Sequence, residues 1–302
     1  MTPFFSVVVP VYNRAHILKR SLDSVLAQGE QDFEIVVVDD GSKDDPKTVV
    51  DALGDARVRY VRRPNGGGGA ARNTGIDAAR GAFIAFLDSD DVFLPHHLGA
   101  MRKLLEGTAT TAGYARIVVD RGGGRTLIKP PRAIAPGEDM GEYLLCDRGF
   151  VPTITAVVPR AMAQAVRYDA DLREAEDTDF AIRLALAGCT FRMAEEPGAV
   201  WADHYDPNRQ SAGRSTAKLA AWLERMKPQL SRKAYLGCRG WAVAKGAALE
   251  SPMRALRFYF AALFAGCYRP RLAAIVFLQI FLPDGAYRRI ADGAIGMMGK
   301  PA

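Results

Sequence analysis

Three carboxylates fall within four positions at Asp88-Ser89-Asp90-Asp91, directly after the apolar run Phe83-Ile84-Ala85-Phe86-Leu87. Like charges that close repel and are costly to desolvate, so a fold keeps them at a buried strand end only where something offsets them. A hard divalent cation, Mg²⁺ or Mn²⁺, does so through carboxylate oxygen while leaving positions for water or phosphate. A solvated acidic turn is the other reading of Asp-Ser-Asp taken alone. A second acidic pair, Asp39-Asp40-Gly41-Ser42, ends the run Glu34 to Val38, and by turn chemistry could simply cap the next element. A third group, Glu176-Asp177-x-Asp179, stands before an amphipathic stretch with Phe180, Ile182, Leu184 and Leu186. A carboxylate there can take the proton of an attacking hydroxyl. It can equally serve as an acidic helix N-terminus, which is the role expected for Asp179.

The elements that must position these acids are legible in the hydrophobic pattern. Ser6 to Val11 is a short apolar run ending at Pro10-Val11-Tyr12-Asn13, followed by a helical stretch from Ala15 to Gln28 with Ile17, Leu18, Leu22, Val25 and Leu26 on one face. Glu34 to Val38 and Val58 to Val61 are further runs. Four glycines, Gly66 to Gly69, then lead into a helix through Ala70, Ala71, Asn73 and Ile76, and the run from Phe83 follows. Strands alternating with helices imply a mostly parallel sheet covered on both faces. Ligands of such sheets bind beyond the carboxyl ends of the strands, where Tyr12, Asp39, Asp40 and Asp88 to Asp91 all fall.

Together, Pro10-Val11-Tyr12-Asn13-Arg14, Val38-Asp39-Asp40-Gly41-Ser42, Ala71-Arg72-Asn73, Asp88-Ser89-Asp90-Asp91 and Glu174-Ala175-Glu176-Asp177-Thr178-Asp179-Phe180 resemble the ordered motifs of family 2 glycosyltransferases. The resemblance covers roughly residues 4 to 205. It implies an α/β GT-A fold: a nucleotide-sugar-binding, mostly parallel central sheet with helices on both faces, plus a helical C-terminal appendage. The implied catalytic domain is 1–214 (1–110 nucleotide-binding, 111–214 acceptor), and composition marks 215–302 as a separate basic, apolar helical region.

The same resemblance implies roles. Pro10, Val11 and Tyr12 lie against the base, with Asp40 on a ring N–H and Asp39 beside it; a carboxylate acceptor suits the imide of uracil. Arg72 meets the base or the phosphates, and Asp88 and Ser89 complete the donor site. Asp88, Asp90 and His204 hold the metal, manganese or magnesium. Asp177 is the general base, ahead of its neighbour Glu176. The implied reaction is inverting transfer from a nucleotide sugar, expected to be UDP-linked, to a hydroxyl of a glycan or lipid-linked acceptor. It would serve cell-surface polysaccharide or glycolipid synthesis. The alternative is a non-catalytic nucleotide-sugar-binding or scaffold protein on the same fold.

The glycine run has a competing reading. Gly66-x-Gly68-x-x-Ala71 loosely matches a dinucleotide fingerprint. However, Arg62 to Asn65 separate it from its strand, and an alanine ends it. A flexible loop letting backbone approach the donor is the expected role. His16 is expected on the surface, and His96 and His97 at a helix start after Pro95. His204 could also be an ordinary structural histidine.

With 302 residues the chain can hold a large core and an appendage. Cys146, Cys189, Cys238 and Cys267 lack paired spacing and are expected as free thiols in a reducing compartment. The first strand begins within five residues of the N-terminus, so no signal peptide and a cytoplasmic location are expected. Residues 215 to 302 hold fourteen Lys/Arg and four Asp/Glu, a balance of +10 against −4 for the rest. No nucleic-acid reader motif accompanies that charge. Leu256 to Tyr268 and Leu272 to Leu282 are too short to span a bilayer. They read as buried helices or as a basic amphipathic surface on the inner face of an anionic membrane. The oligomeric state is not legible.

Overall fold

The structure, a computed structural model, describes residues 2–122, 124–147, 149–172, 174–202, 216–283 and 285–287. The chain divides into two compact units, Met1–Ile134 with Phe150–Pro207, and Ala135–Gly149 with Asn208–Ala302.

The first unit is built on one sheet of β1 (Phe5–Val11), β2 (Phe33–Asp39), β3 (Val58–Arg62), β4 (Phe83–Phe86), β5 (Val92–Phe93), β6 (Thr111–Asp120), β7 (Thr126–Lys129), β8 (Val157–Pro159) and β9 (Thr190–Ala202). Its order is β3-β2-β1-β4-β8-β6-β9-β5, with β7 on β6. β3, β2, β1 and β4 are parallel, and beyond β4 the pairing becomes mixed. β2 is buried at every position and β1 at every position but Pro10, so both read as continuous apolar runs rather than alternating ones. The chain moves outward through β2 and β3, then returns across β1 to β4. The crevice at the carboxyl ends of β1 and β4 is therefore a topological switch point, the place where such sheets bind ligands.

Helices α1 (Ala15–Leu26), α2 (Pro46–Asp51), α3 (Gly68–Ala78), α4 (His97–Leu105), α6 (Arg160–Val166) and α7 (Glu176–Leu186) belong to this unit. α1 buries Leu18, Leu22 and Val25, one side of its turns. α3 lies close on β1 because Gly75 faces Val8, where an added Cβ would stand 2.2 Å from Val8 Cγ1. α7 starts at Glu176 itself, so the Glu-Asp pair forms its first turn rather than preceding it. Asp179 is buried and paired with Arg183, which also donates to the Val166 and Arg167 carbonyls at 2.7 and 2.8 Å.

His97 opens α4 as expected, but it is wholly buried, against Phe93 and Gly198. Neither ring nitrogen has a hydrogen-bond partner among the described residues. Burial, with neighbouring His96 adding to it, pushes its pKa down to about 3. Below the ordinary value of about 6.5 the unfolded chain gains a proton that the folded chain refuses. Stability should therefore fall by up to about 1.4 kcal/mol per pH unit from this group as pH drops from about 6.5 towards 3. Chemical denaturation at pH 6.5 and pH 5 tests this, and the H97L variant should show a visibly smaller difference between the two.

The second unit contains α5 (Met140–Leu145), α8 (Thr216–Met226), α9 (Arg232–Cys238), a π turn (Arg239–Val243), α10 (Ala244–Ala247), α11 (Pro252–Phe264) and α12 (Pro270–Phe281). Asp139 caps α5 by accepting from the Glu142 N–H at 2.8 Å. Glu142 in turn accepts from Ser231 and Lys233, both at 2.9 Å, which ties α5 to α9. Ala255, Tyr259 and Ala262 of α11 and Leu272, Val276 and Ile280 of α12 form its core with Cys146, Cys267 and Tyr268. All four cysteines are buried and unbridged. Among the described residues, no helix is long and apolar enough to cross a membrane.

Candidate active site

Two turns fold against each other at the carboxyl ends of β1 and β2. The Asp40 N–H donates to the Val11 carbonyl at 2.9 Å, and the Asn13 N–H to Ser42 Oγ at 3.0 Å. Asn13 Oδ1 accepts from the Lys43 N–H at 2.7 Å. Asp39 is fully buried, accepting from the Ser42 N–H at 2.8 Å and from the Tyr60 hydroxyl. Burial opposes its charge, yet these donors hold its pKa below the ordinary carboxylate range. Asp39 therefore builds the turn. Val11 is buried beneath it, and the Tyr12 ring stands 40% exposed at the mouth, available to an aromatic partner.

Asp40 explains the glycines. Its carboxylate accepts the Gly67 N–H at 2.7 Å, the Gly66 N–H at 3.0 Å, and the Arg63 guanidinium. Gly67 sits at φ +90°, a conformation that favours glycine. The glycine run is thus a pinned turn into α3, not the flexible loop expected from composition. It also follows β3, at the end of the sheet order and away from the switch point, which removes the dinucleotide reading. The Gly66 N–H reaches the second oxygen as well, at 3.2 Å, so each oxygen of this buried carboxylate accepts two contacts and its roughly four acceptor positions are taken.

The turn after β4 distributes its acids. Asp91 is buried and accepts from the Ala202 N–H at 3.1 Å, fastening the turn to the end of β9. Ser89 is buried too, and the Ser89 and Asp91 carbonyls both accept from the Ser21 hydroxyl. Asp88 and Asp90 remain partly exposed, Asp88 paired to Arg72 at 2.7 Å and Asp90 to Arg14 at 2.8 Å. Among the described residues no group of three His, Cys, Asp or Glu is disposed to hold a metal. His204 lies outside the described residues. Asp88 and Asp90 nonetheless present two hard oxygen donors from one turn, a set that suits a cation completing its shell with phosphate oxygens and water.

Arg72 joins these parts. Its side chain is 10% exposed, with one terminal nitrogen on Asp88 and the other on Glu176 Oε2 at 2.8 Å. The guanidinium carbon lies 5.3 Å from the Tyr168 ring centroid, and Nε has no partner among the described residues. Burial opposes the charge, but Asp88 and Glu176 hold the guanidinium pKa above its ordinary value. Burial in turn pushes Glu176 up to about 7, against the pull of Arg72 and helped by Asp177 and Asp88. Asp177 is raised as well, chiefly by burial, while Arg72 and the Thr153 hydroxyl counter it. One side of Asp177 lines a small, mainly apolar pocket with Thr153, Tyr168, Phe180 and Phe191. Thr153 and Tyr168 carry no motif in the sequence. Arg14 and Arg63 could have been suspected as the basic residues beside two acidic turns.

The family model for glycosyl transferase family 2 matches residues 6–163, just over half of the chain, and the protein belongs to that family. The amylovoran biosynthesis glycosyltransferase AmsB of Erwinia amylovora is 28% identical over 274 residues, spanning 85% of this chain and 90% of that protein. Among solved structures, S. aureus TarS 1–349 in complex with UDP-GlcNAc superposes with a TM-score of 0.64 at 17% identity, covering 99% of this chain and 93% of that one. The Pyrobaculum calidifontis mannosyltransferase PcManGT, in complex with GDP-Man and Mn²⁺, superposes at 0.57 with 19% identity, covering 100% and 89%. At such identities the structural likeness establishes the fold, a GT-A-type nucleotide-sugar-binding sheet with a helical extension.

Proposed function

We propose that the protein transfers a sugar from a nucleotide sugar, UDP-linked, to a hydroxyl of a glycan or lipid-linked acceptor in cell-surface polysaccharide synthesis, with inversion at the anomeric carbon. The observation that carries this is Arg72, a buried cation bridging Asp88 at the end of β4 to Glu176 beside Asp177 at the start of α7. That bridge supports a reading in which the donor-side acids and the base act in one crevice. Tyr12 stacks on the nucleotide base, and Asp40 accepts a ring N–H by exchanging one of its present donors, the doubly shared Gly66 N–H being the weakest held. Asp177 takes the proton of the acceptor hydroxyl as that oxygen bonds the anomeric carbon and the bond to the diphosphate breaks, so no covalent enzyme intermediate is needed. A raised pKa makes Asp177 a stronger base than a solvated aspartate. Asp88 and Asp90 would hold a divalent cation, whose contribution is to neutralise charge on the departing diphosphate. AmsB, named for amylovoran biosynthesis, supports the polysaccharide setting; TarS with UDP-GlcNAc supports the UDP donor, and PcManGT with Mn²⁺ the metal. The reading includes a peripheral contact of the C-terminal unit with an anionic membrane, the setting in which a lipid-linked acceptor resides.

Nucleotide release from a panel of UDP- and GDP-sugars, with Mn²⁺ or after exhaustive chelation, tests this. The D90N variant keeps shape but removes charge, and it should lose nearly all release while its thermal midpoint stays close to wild type. Full activity of D90N, or of chelated wild type, would remove the metal from the mechanism. No turnover of any nucleotide sugar would sink the transferase reading as a whole.

A further inference from the structure

The C-terminal unit leaves large apolar side chains in water along two helices. Met253 and Phe264 of α11 are 67% and 84% exposed, Phe260 is exposed between them, and Leu249 is exposed just ahead of the helix. Phe277 and Leu278 of α12 are exposed as well. Phe260 stacks with Phe264 at 5.9 Å, and Phe260 and Phe277 each lie 5.4 Å from the Tyr259 ring. Met253, Phe260 and Phe264, at i, i+7 and i+11, share one face of α11, and Phe277 of α12 packs on the same buried Tyr259 ring that Phe260 touches. Scattered exposed residues need no account, whereas a contiguous patch does. Its setting is mainly basic: Arg254, Arg257, Arg269 and Arg271 are exposed on and between the two helices, neither helix contains Asp or Glu, and Glu250 is exposed beside Leu249 just ahead of α11.

We infer that α11 and α12 form a docking face for an anionic lipid bilayer, lying in its interface with Met253, Phe260, Phe264 and Leu278 entering the acyl boundary. At 13 and 12 residues the helices are about 20 Å long, too short to span but long enough to lie in the plane. Apolar insertion and charge attraction act together there, and stable anchoring needs two such signals. A second copy of this chain would bring the same arginines face to face, and an uncharged apolar partner would leave them unused. This deepens the membrane contact included in the proposed function, yet it depends only on residues of the C-terminal unit.

The test is co-sedimentation of the full chain with phosphatidylcholine vesicles, with and without phosphatidylglycerol. Wild type should bind only the anionic vesicles, and progressively less as salt rises. The doubly substituted M253S/F264S should bind about tenfold more weakly or worse. The charge reversal R254E/R257E should do the same, and its residual binding should lose salt dependence. Both variants replace exposed side chains, so nucleotide release from the donor should stay at the wild-type rate and report that each is folded. Equal wild-type binding to neutral and anionic vesicles, or undiminished binding by both variants, overturns the docking face. So does a wild-type dimer that M253S/F264S converts to monomer with no vesicle binding at all. Vesicle binding that persists in a protein releasing no nucleotide would instead support the docking face while removing the transferase reading.

Discussion

The D177N variant should lose ~10²–10⁴ in turnover while binding donor as wild type does, because it removes the proposed general base and little else. Asparagine fills nearly the same volume beside Thr153 and Tyr168 but cannot accept the acceptor's proton. Its neighbours make two controls informative. E176Q removes one partner of Arg72 and should weaken donor-side order as well as turnover. D179N takes charge from a buried pair with Arg183, whose guanidinium also serves two backbone carbonyls. D179N should therefore lower stability, with turnover per folded molecule much less affected. Initial rates with saturating donor, paired with isothermal titration of the nucleotide sugar, separate these outcomes. If D177N and D179N lose turnover equally at unchanged donor affinity, Asp177 is not the base.

Replacing Arg72 by methionine should cost ~3 kcal/mol of folding stability, since it strands partly desolvated carboxylates that share one cation. Most of the loss should come through Glu176, whose side chain is 11% exposed, and less through Asp88, at 33%. The pH dependence provides the diagnostic. Glu176 already titrates at about 7, above its ordinary value of 4.5, and without Arg72 it should rise further. A raised folded pKa means the folded state holds the proton more firmly, so the penalty is absent below the unfolded pKa and grows as pH rises through the folded one. The R72M defect should accordingly be larger at pH 8 than at pH 5 in urea unfolding. An equal defect at both values would show that Arg72 acts by packing on Tyr168 rather than by compensating charge. Lysine should not rescue the site, because it cannot span two carboxylates with a planar fork.

Much of this is legible in the sequence. The apolar runs ending at Val11, Asp39 and Phe86 and the helical face of Leu18, Leu22 and Val25 follow from periodicity, which is a local property of the chain. That the acids at strand ends share one crevice follows from a topological rule about parallel sheets. The division of labour inside each acidic cluster was not legible. Asp88, Asp90 and Asp91 are chemically alike and nearly adjacent, yet Asp91 is a buried fastener of β9 and the other two face arginines. Asp39 and Asp40 differ in the same way, one building a turn with Ser42 and Tyr60 and the other pinning Gly66 and Gly67.

Sequence alone determined the α/β sheet, the family, the acidic motifs and the basic, apolar character of the C-terminal stretch, because hydrophobic period, residue type and charge are carried by neighbours along the chain. Only the tertiary structure decided that Arg72 bridges Asp88 to a glutamate 104 positions away, that Tyr168 and Thr153 border the candidate base, and that His97 is sealed without a partner. Those outcomes depend on burial and on contacts between distant segments. A charge or ring nitrogen changes its pKa and its role according to what displaces water around it, and that is settled only when the chain closes on itself.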